Sequence, residues 1–174
     1  GYFSHGYGMK AKGMGGATIA STDNAFAGAN NPATSAFAGN RFEAGLDMFK
    51  PNRSMSRTAP GMGGLTEANV TSDDTSFLIP EFGYNRKYND QIGYGITVYG
   101  NGGMNTNYAG GQTTCTPDGN IFYQGNPLCG SGKLGVDLTQ LIVAPTFAYK
   151  LNDRQSIGIS PLFVFQQFRA EGID

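Results

Sequence analysis

Apolar residues in this chain recur at every second position wherever a pattern is clear, and none of its 174 residues lies in an apolar run near the roughly 18 that a membrane helix requires. Successive side chains of a strand point to opposite faces, so such a pattern prescribes strands with one oily face each. Residues 41–51 set Phe42, Ala44, Leu46 and Met48 opposite Glu43, Gly45 and Asp47. Residues 76–86 alternate less cleanly, with Leu78, Pro80, Phe82 and Tyr84 against Phe77, Ile79, Glu81 and Gly83. Residues 91–100 put Ile92, Tyr94, Ile96 and Val98 opposite Gly93, Gly95, Thr97 and Tyr99. Residues 138–150 gather Leu141, Val143, Pro145, Phe147 and Tyr149 on one side, and 155–169 gather Ile157, Ile159, Pro161, Phe163 and Phe165. Five strands are expected, each near membrane-crossing length.

The connections alternate as strictly as the side chains. Residues 87–90 (KYND) and 151–154 (LNDR) are tight polar turns, whereas 52–75 and 101–137 are long polar loops. Outer-membrane barrels are built this way, with short periplasmic turns and long extracellular loops; a soluble sandwich has no such obligation. Charge placement agrees, because a Lys or Arg facing lipid at mid-depth costs roughly 2–4 kcal/mol. Glu43, Asp47 and Glu81 fall on the less apolar faces, while Lys50, Arg86, Lys87, Lys150, Asp153, Arg154 and Arg169 sit at strand ends. Only 14% of the chain is charged, against 27 Gly, 12 Phe and 9 Tyr, which suits a β-protein whose outer surface meets something other than water. A soluble antiparallel sheet with one solvated face predicts the same alternation, but with more charges on its polar face.

Several function classes lack their chemistry. A net charge of −1, with Lys and Arg scattered, offers no basic patch for nucleic acid. His5 is the sole histidine and lies in a glycine-rich tail, so no nucleophile has a base, and the early glycines do not spell a phosphate loop. The chain reads as a non-enzyme without cofactor or metal. Cys115 and Cys129 share a loop with no further ligand nearby. Either a disulfide closes that loop, the favoured reading and one that implies an oxidising compartment, or the two remain free thiols. The chain opens on Gly1, not on an initiator Met, as a processed secreted protein would.

The segment from Gly13 to Ala33 is rich in small residues, among them Gly13, Gly16, Ala20 and Ala25, with Asp23, and it ends in Asn31-Pro32-Ala33. It resembles the hatch of the FadL/TodX family of outer-membrane transporters for long-chain fatty acids and hydrophobic compounds. Residues 135–172 are similar to that family's mid-barrel strands. The resemblance implies an all-β, transmembrane antiparallel β-barrel, 14-stranded in the family, with about five strands here. Residues 1–40 would form the N-terminal hatch and 41–174 the first part of the barrel. Five strands alone would leave unpaired edges in lipid, so the chain is expected to be the N-terminal portion of a longer protein. Taken alone, Asn-Pro-Ala is equally well a plain turn.

The implied function is a bacterial outer-membrane channel for passive uptake of long-chain fatty acids or other hydrophobic compounds. Ligand would be captured at an extracellular groove, pass into a hatch-plugged lumen, and leave sideways through a kinked strand into outer-membrane lipid. Asn31, Pro32, Ala33 and Asp23 are then hatch residues, and Tyr2, Phe3, Tyr7, Tyr99, Leu162, Val164 and Phe168 are ligand-binding candidates. For Tyr2, Phe3 and Tyr7 the competing reading is a disordered tail, and for the four strand residues simple space-filling beneath the hatch. Gly93, Gly95 and Gly100 are lateral-opening candidates, with Pro80, Pro145 and Pro161 as rivals. Met55, Met62 and Leu65 would either cover a capture groove or belong to an ordinary loop. The alternative from another class is a structural or adhesive surface protein without transport, whose disulfide loop binds a partner.

Overall fold

A computed structural model describes residues 3–57, 68–102, 104–116 and 120–173. Tyr2, Met62 and Leu65 lie outside them. The fold is mostly β-strand with a few short helices, and among the described residues no helix is long and apolar enough to cross a membrane. The N-terminal segment carries α1 (Met9–Gly13), α2 (Ala27–Asn30), a 3-10 turn (Pro32–Thr34) and α3 (Ser35–Ala38). The strands are β1 (Arg41–Phe49), β2 (Ser54–Arg57), β3 (Ala68–Thr71), β4 (Phe77–Lys87), β5 (Ile92–Gly102), β6 (Thr106–Tyr108), β7 (Thr113–Cys115), β8 (Tyr123–Gly125), β9 (Leu134–Asn152), β10 (Gln155–Ile159) and β11 (Phe163–Glu171). The chain forms two compact units, one of Gly1–Met48, Leu78–Gly102 and Gln140–Gln166, the other of Phe49–Phe77, Gly103–Thr139 and Gln167–Asp174.

In the first unit the hydrogen-bonded strand order is β1-β4-β5-β9-β10. β4 and β5 pair antiparallel from Glu81 opposite Tyr99 to Lys87 opposite Gly93. β9 and β10 pair antiparallel with Ile157 opposite Tyr149 and Ile159 opposite Phe147, after a register shift between Gln155 and Ser156. Both short turns are pinned by their own polar side chains. Asn89 Oδ1 accepts the N–H groups of Gln91 and Ile92, both at 2.8 Å. Lys87 pairs with Asp90 at 2.6 Å, and Lys150 with Asp153 at 2.8 Å, one such i,i+3 pair in each turn.

The two faces of this sheet differ in what covers them. On one face Phe42, Leu46, Met48, Leu78, Phe147, Ile157 and Ile159 stand exposed, Leu46 at 59% and Ile159 at 66%. Phe42 and Phe82, from neighbouring strands, meet edge-to-face with centroids 5.1 Å apart. On the other face Glu81, Asn85, Thr97, Tyr99, Ile142, Ala144, Thr146 and Ala148 are buried. The N-terminal segment lies on that face, α2 and α3 against β5 and the 3-10 turn against β10. Tyr7, Phe26, Tyr99, Ile142 and Ala144 form the core between them.

The second unit is built from the two long connections, which are not plain loops. β2 and β3 pair antiparallel from Ser54 opposite Thr71 to Arg57 opposite Ala68. β7 and β8 pair with Cys115 opposite Tyr123, and β6 pairs with residues 134–136 of β9. Val70, Tyr108 and Leu134 form a small core against which the partly buried Met55 packs. Cys115 and Cys129 are joined in a disulfide, sequence separation 14. Asn126, fully buried beside it, accepts N–H groups from Leu128 (2.9 Å) and Gly130 (3.0 Å) and donates to the Gly172 carbonyl (2.8 Å).

The strand expected at 155–169 is two strands. β10 ends at Ile159 and β11 begins at Phe163. Pro161 lies in the interruption, where its missing N–H leaves no donor for a ladder. Ser160 turns instead to β9, its hydroxyl donating to the Pro145 carbonyl at 2.9 Å and lying 3.2 Å from Thr146 Oγ1. β9 starts at Leu134, four residues before the expected 138, because β6 gives those residues a partner.

Candidate functional site

The face of the sheet that holds the N-terminal segment concentrates most of the residues that sequence points to. Asn31 is extended (φ −160°, ψ 109°), as the residue before a proline must be, and Pro32 takes the first position of a 3-10 turn, where its lack of an N–H goes unnoticed. Asn31 Oδ1 caps the turn by accepting the Ala33 N–H at 3.1 Å, and Asn31 Nδ2 donates to the Ile19 carbonyl at 2.9 Å. The triplet is therefore a rigid corner tied back to its own segment.

That corner is seated on the wall by backbone contact. Ser156 of β10 donates its hydroxyl to the Ala33 carbonyl at 2.8 Å. Two residues on, a Cβ at Gly158 would lie 2.5 Å from the Ala33 nitrogen and the Pro32 carbonyl carbon. On β5 the backbone of Ser35 presses equally close on Gly93, and on β4 a Cβ at Gly83 would meet the Ala25 carbonyl at 2.6 Å. Asn85 adds hydrogen bonds from β4, donating to the carbonyls of Ser35 (3.1 Å) and Gly39 (2.7 Å) and accepting the Ser35 hydroxyl (2.5 Å).

Tyr7 and Tyr99, both named from sequence, come together here. Their ring centroids are 4.1 Å apart, and the Tyr7 hydroxyl donates to Asn101 Oδ1 at 2.5 Å. Asn30 holds the Tyr7 backbone at both ends, accepting its N–H and donating to its carbonyl, each at 2.9 Å. Burial, then the neighbouring Tyr99, pushes the Tyr7 phenol up to about 12, so it stays a neutral donor at any physiological pH. Phe3, Ser4, Tyr7, Ile19 and Ala29 line an open groove of about 290 Å³ within the N-terminal segment.

A charged cluster completes the junction. Lys12 Nζ lies 2.8 Å from Glu81 Oε2 on β4 and 3.2 Å from Asp47 Oδ2 on β1. The Gly8 N–H also donates to Glu81 Oε2, at 3.1 Å. Asp23 sits apart in an exposed bend, paired with Lys10 and accepting the Ser21 hydroxyl, and these bonds bring its carboxyl down to about 2.

The remaining sequence candidates fall elsewhere. Leu162 lies in the interruption between β10 and β11, and Val164 and Phe168 on β11 are exposed. Leu162 and Val164, which share a unit with Tyr7 and Tyr99, do not join their cluster among the described residues. Gly95 faces the Tyr84 carbonyl of β4, and a Cβ at Gly100 would approach Ile79 Cγ2 at 3.0 Å; β5 pairs in register with β4 from Gly93 to Tyr99. Lys12, Asn85, Asn101, Ser156 and Gly158 went unnamed as site residues. The available signal was a carboxylate, Glu81, at mid-strand on an inner face, which demands a partner.

Compared with known proteins, residues 5–171 match the family described as Outer membrane protein transport protein (OMPP1/FadL/TodX). Comparison with curated proteins and with solved structures returned no match.

Proposed function

We propose, starting from the fact that the chain belongs to the FadL/TodX family of outer-membrane transport proteins, that it passively conducts long-chain fatty acids or other hydrophobic compounds through a lumen plugged by its N-terminal segment. The family places the protein in the outer membrane and its work among hydrophobic compounds. The observation that carries the reading is the one-sided dressing of the sheet. Small residues and a capped Asn-Pro-Ala corner cover one face, while the other carries apolar side chains along mid-strand, with Leu46, Phe147 and Ile157 among those that stand exposed. A barrel wall needs that division, lipid outside and a filled lumen inside.

In this reading residues 1–40 are the hatch, and the strands from β1 onward are the beginning of a closed barrel. The Tyr7–Tyr99 cluster and the groove beside Phe3 are where an apolar ligand would first meet the hatch. Lateral release belongs to the same proposal. Gly93, Gly95 and Gly100 are its candidates on β5, and the interruption around Pro161 is a second one, where a ladder donor is already absent. Release would need no energy beyond the ligand's partition into the membrane.

Uptake decides between transport and adhesion. Cells making the intact protein should accumulate a radiolabelled long-chain fatty acid, or a neutral aromatic hydrocarbon, faster than cells without it. Equal rates for both solutes, with the protein present in the outer membrane, would reject transport and leave the adhesive alternative.

A further inference from the structure

We propose that Lys12 is the cation of an ionic latch, its charge held between Glu81 and Asp47 so that α1 stays seated on the wall until the three groups separate. The inference rests on reading the N-terminal segment as a hatch and adds what fixes its closed position. The other seats are neutral, made of backbone on glycine and of amide and hydroxyl hydrogen bonds. Only here does a full charge on the N-terminal segment meet full charges on the sheet at bonding distance among the described residues.

The burial of the Lys12–Glu81 pair makes it a latch and not a surface pair, with Asp47 at its half-exposed edge. The Glu81 side chain is 1% exposed and that of Lys12 17%, so neither charge is fully solvated where it stands. Gly45 makes the room, because a Cβ there would come within 2.7 Å of Glu81 Oε1. Among the described residues the hydrogen-bond partners of the Glu81 side chain are the Lys12 ammonium and the Gly8 N–H, both from the N-terminal segment, and Oε1 has none. A carboxylate fixed by its own strand would keep partners when α1 leaves. This one loses both, so an open segment faces an uncompensated pair of carboxylates that draws Lys12 back. Lys10 and Asp23 cannot serve in this way, since both belong to the N-terminal segment and lie exposed.

The test uses the intact protein in lipid nanodiscs with Ala11→Cys, a position 2% exposed on α1, and reads the rate of labelling by a water-soluble maleimide against the parent without the added thiol. When opening is fast relative to labelling, that rate follows the population of the open segment. Lys12→Met should raise it by about 100-fold or more, the scale expected when one partner of a buried pair is removed. Lys12→Arg, which keeps the charge, should stay near the Lys12 rate, and Asp47→Asn should give a smaller rise. An unchanged rate in Lys12→Met, with heat-modifiable gel migration retained, overturns the latch. Should Lys12→Met lose that migration, Asp47→Asn decides, a rise supporting the latch and no rise overturning it. Labelling that rises while hydrophobic uptake stays at the parent value keeps the latch and rejects the hatch reading.

Discussion

Gly158 shows how much of the docking depends on atoms that are missing. With a Cβ at 2.5 Å from the backbone of Pro32 and Ala33, Gly158→Ala must push the Asn-Pro-Ala corner off β10 or bend the strand. Overpacking of this kind costs about 1–3 kcal/mol. The expected result is faster proteolysis within residues 1–40 while the strands resist, read by mass spectrometry of the fragments; an unchanged cleavage rate would show that the corner is not seated there. Asp23 gives a prediction in pH. Its carboxyl is held at about 2, below the ordinary 3.8, by Lys10 first and Ser21 second. The pairing therefore contributes fully above about pH 4 and fades as pH falls through 2. Asp23→Asn should remove any loss of amide protection over residues 9–24 between pH 4 and 2, measured by hydrogen exchange. Sequence could show Asn31-Pro32-Ala33 as a turn, because its chemistry is local. It could not show that Ser156 and Gly158 are the seat, since no local rule says which distant strand a turn will meet.

The strands were legible where they are long and unreadable where they are short. Alternation over β1, β4, β5 and β9 separates Leu46, Phe82, Ile96 and Phe147 from Gly45, Gly83, Thr97 and Ala148, and the structure puts the N-terminal segment on the side of the second set. β6, β7 and β8 span three residues each, too few for a period of two to rise above chance, so the long connections read as loops. The interruption at residues 160–162 was hidden because Ile157, Ile159, Phe163 and Phe165 keep the same parity across it. The disulfide supports a unit whose core cluster among the described residues is Val70, Tyr108 and Leu134, with the partly buried Met55 against it. Cross-linking a loop of this size stabilises by roughly 3 kcal/mol in the chain-entropy model. Reduction, or Cys115→Ser with Cys129→Ser, should expose residues 109–133 to protease. Heat-modifiable migration should persist, because neither cysteine belongs to the first unit. Loss of that migration on reduction would mean that the two units do not stand independently.

For the molecule as a whole, the question is what touches the apolar face, and substitutions there have opposite signs in water and in lipid. Leu46 on β1 and Ile157 on β10 are 59% exposed each, and both belong to the face away from the N-terminal segment. Were that face solvated, Leu46→Lys or Ile157→Lys would be a surface change worth no more than about 0.5 kcal/mol either way, and solubility would improve. Against acyl chains a lysine costs about 2–4 kcal/mol at mid-depth and less near the headgroups. The placement of charge along the strands favours the second case. Lys87 and Asp90 sit at one short turn and Lys150 and Asp153 at the other, whereas Glu81 at mid-strand points to the covered face and is neutralised there. Leu46→Lys should therefore lower the yield of heat-modifiable protein in the outer membrane and the urea midpoint for its unfolding from lipid vesicles. Leu46→Phe, which keeps the position bulky and apolar, should change neither. A Leu46→Lys variant that assembles and resists urea like its parent would mean that water, not lipid, covers this face, and the channel reading would lose its footing.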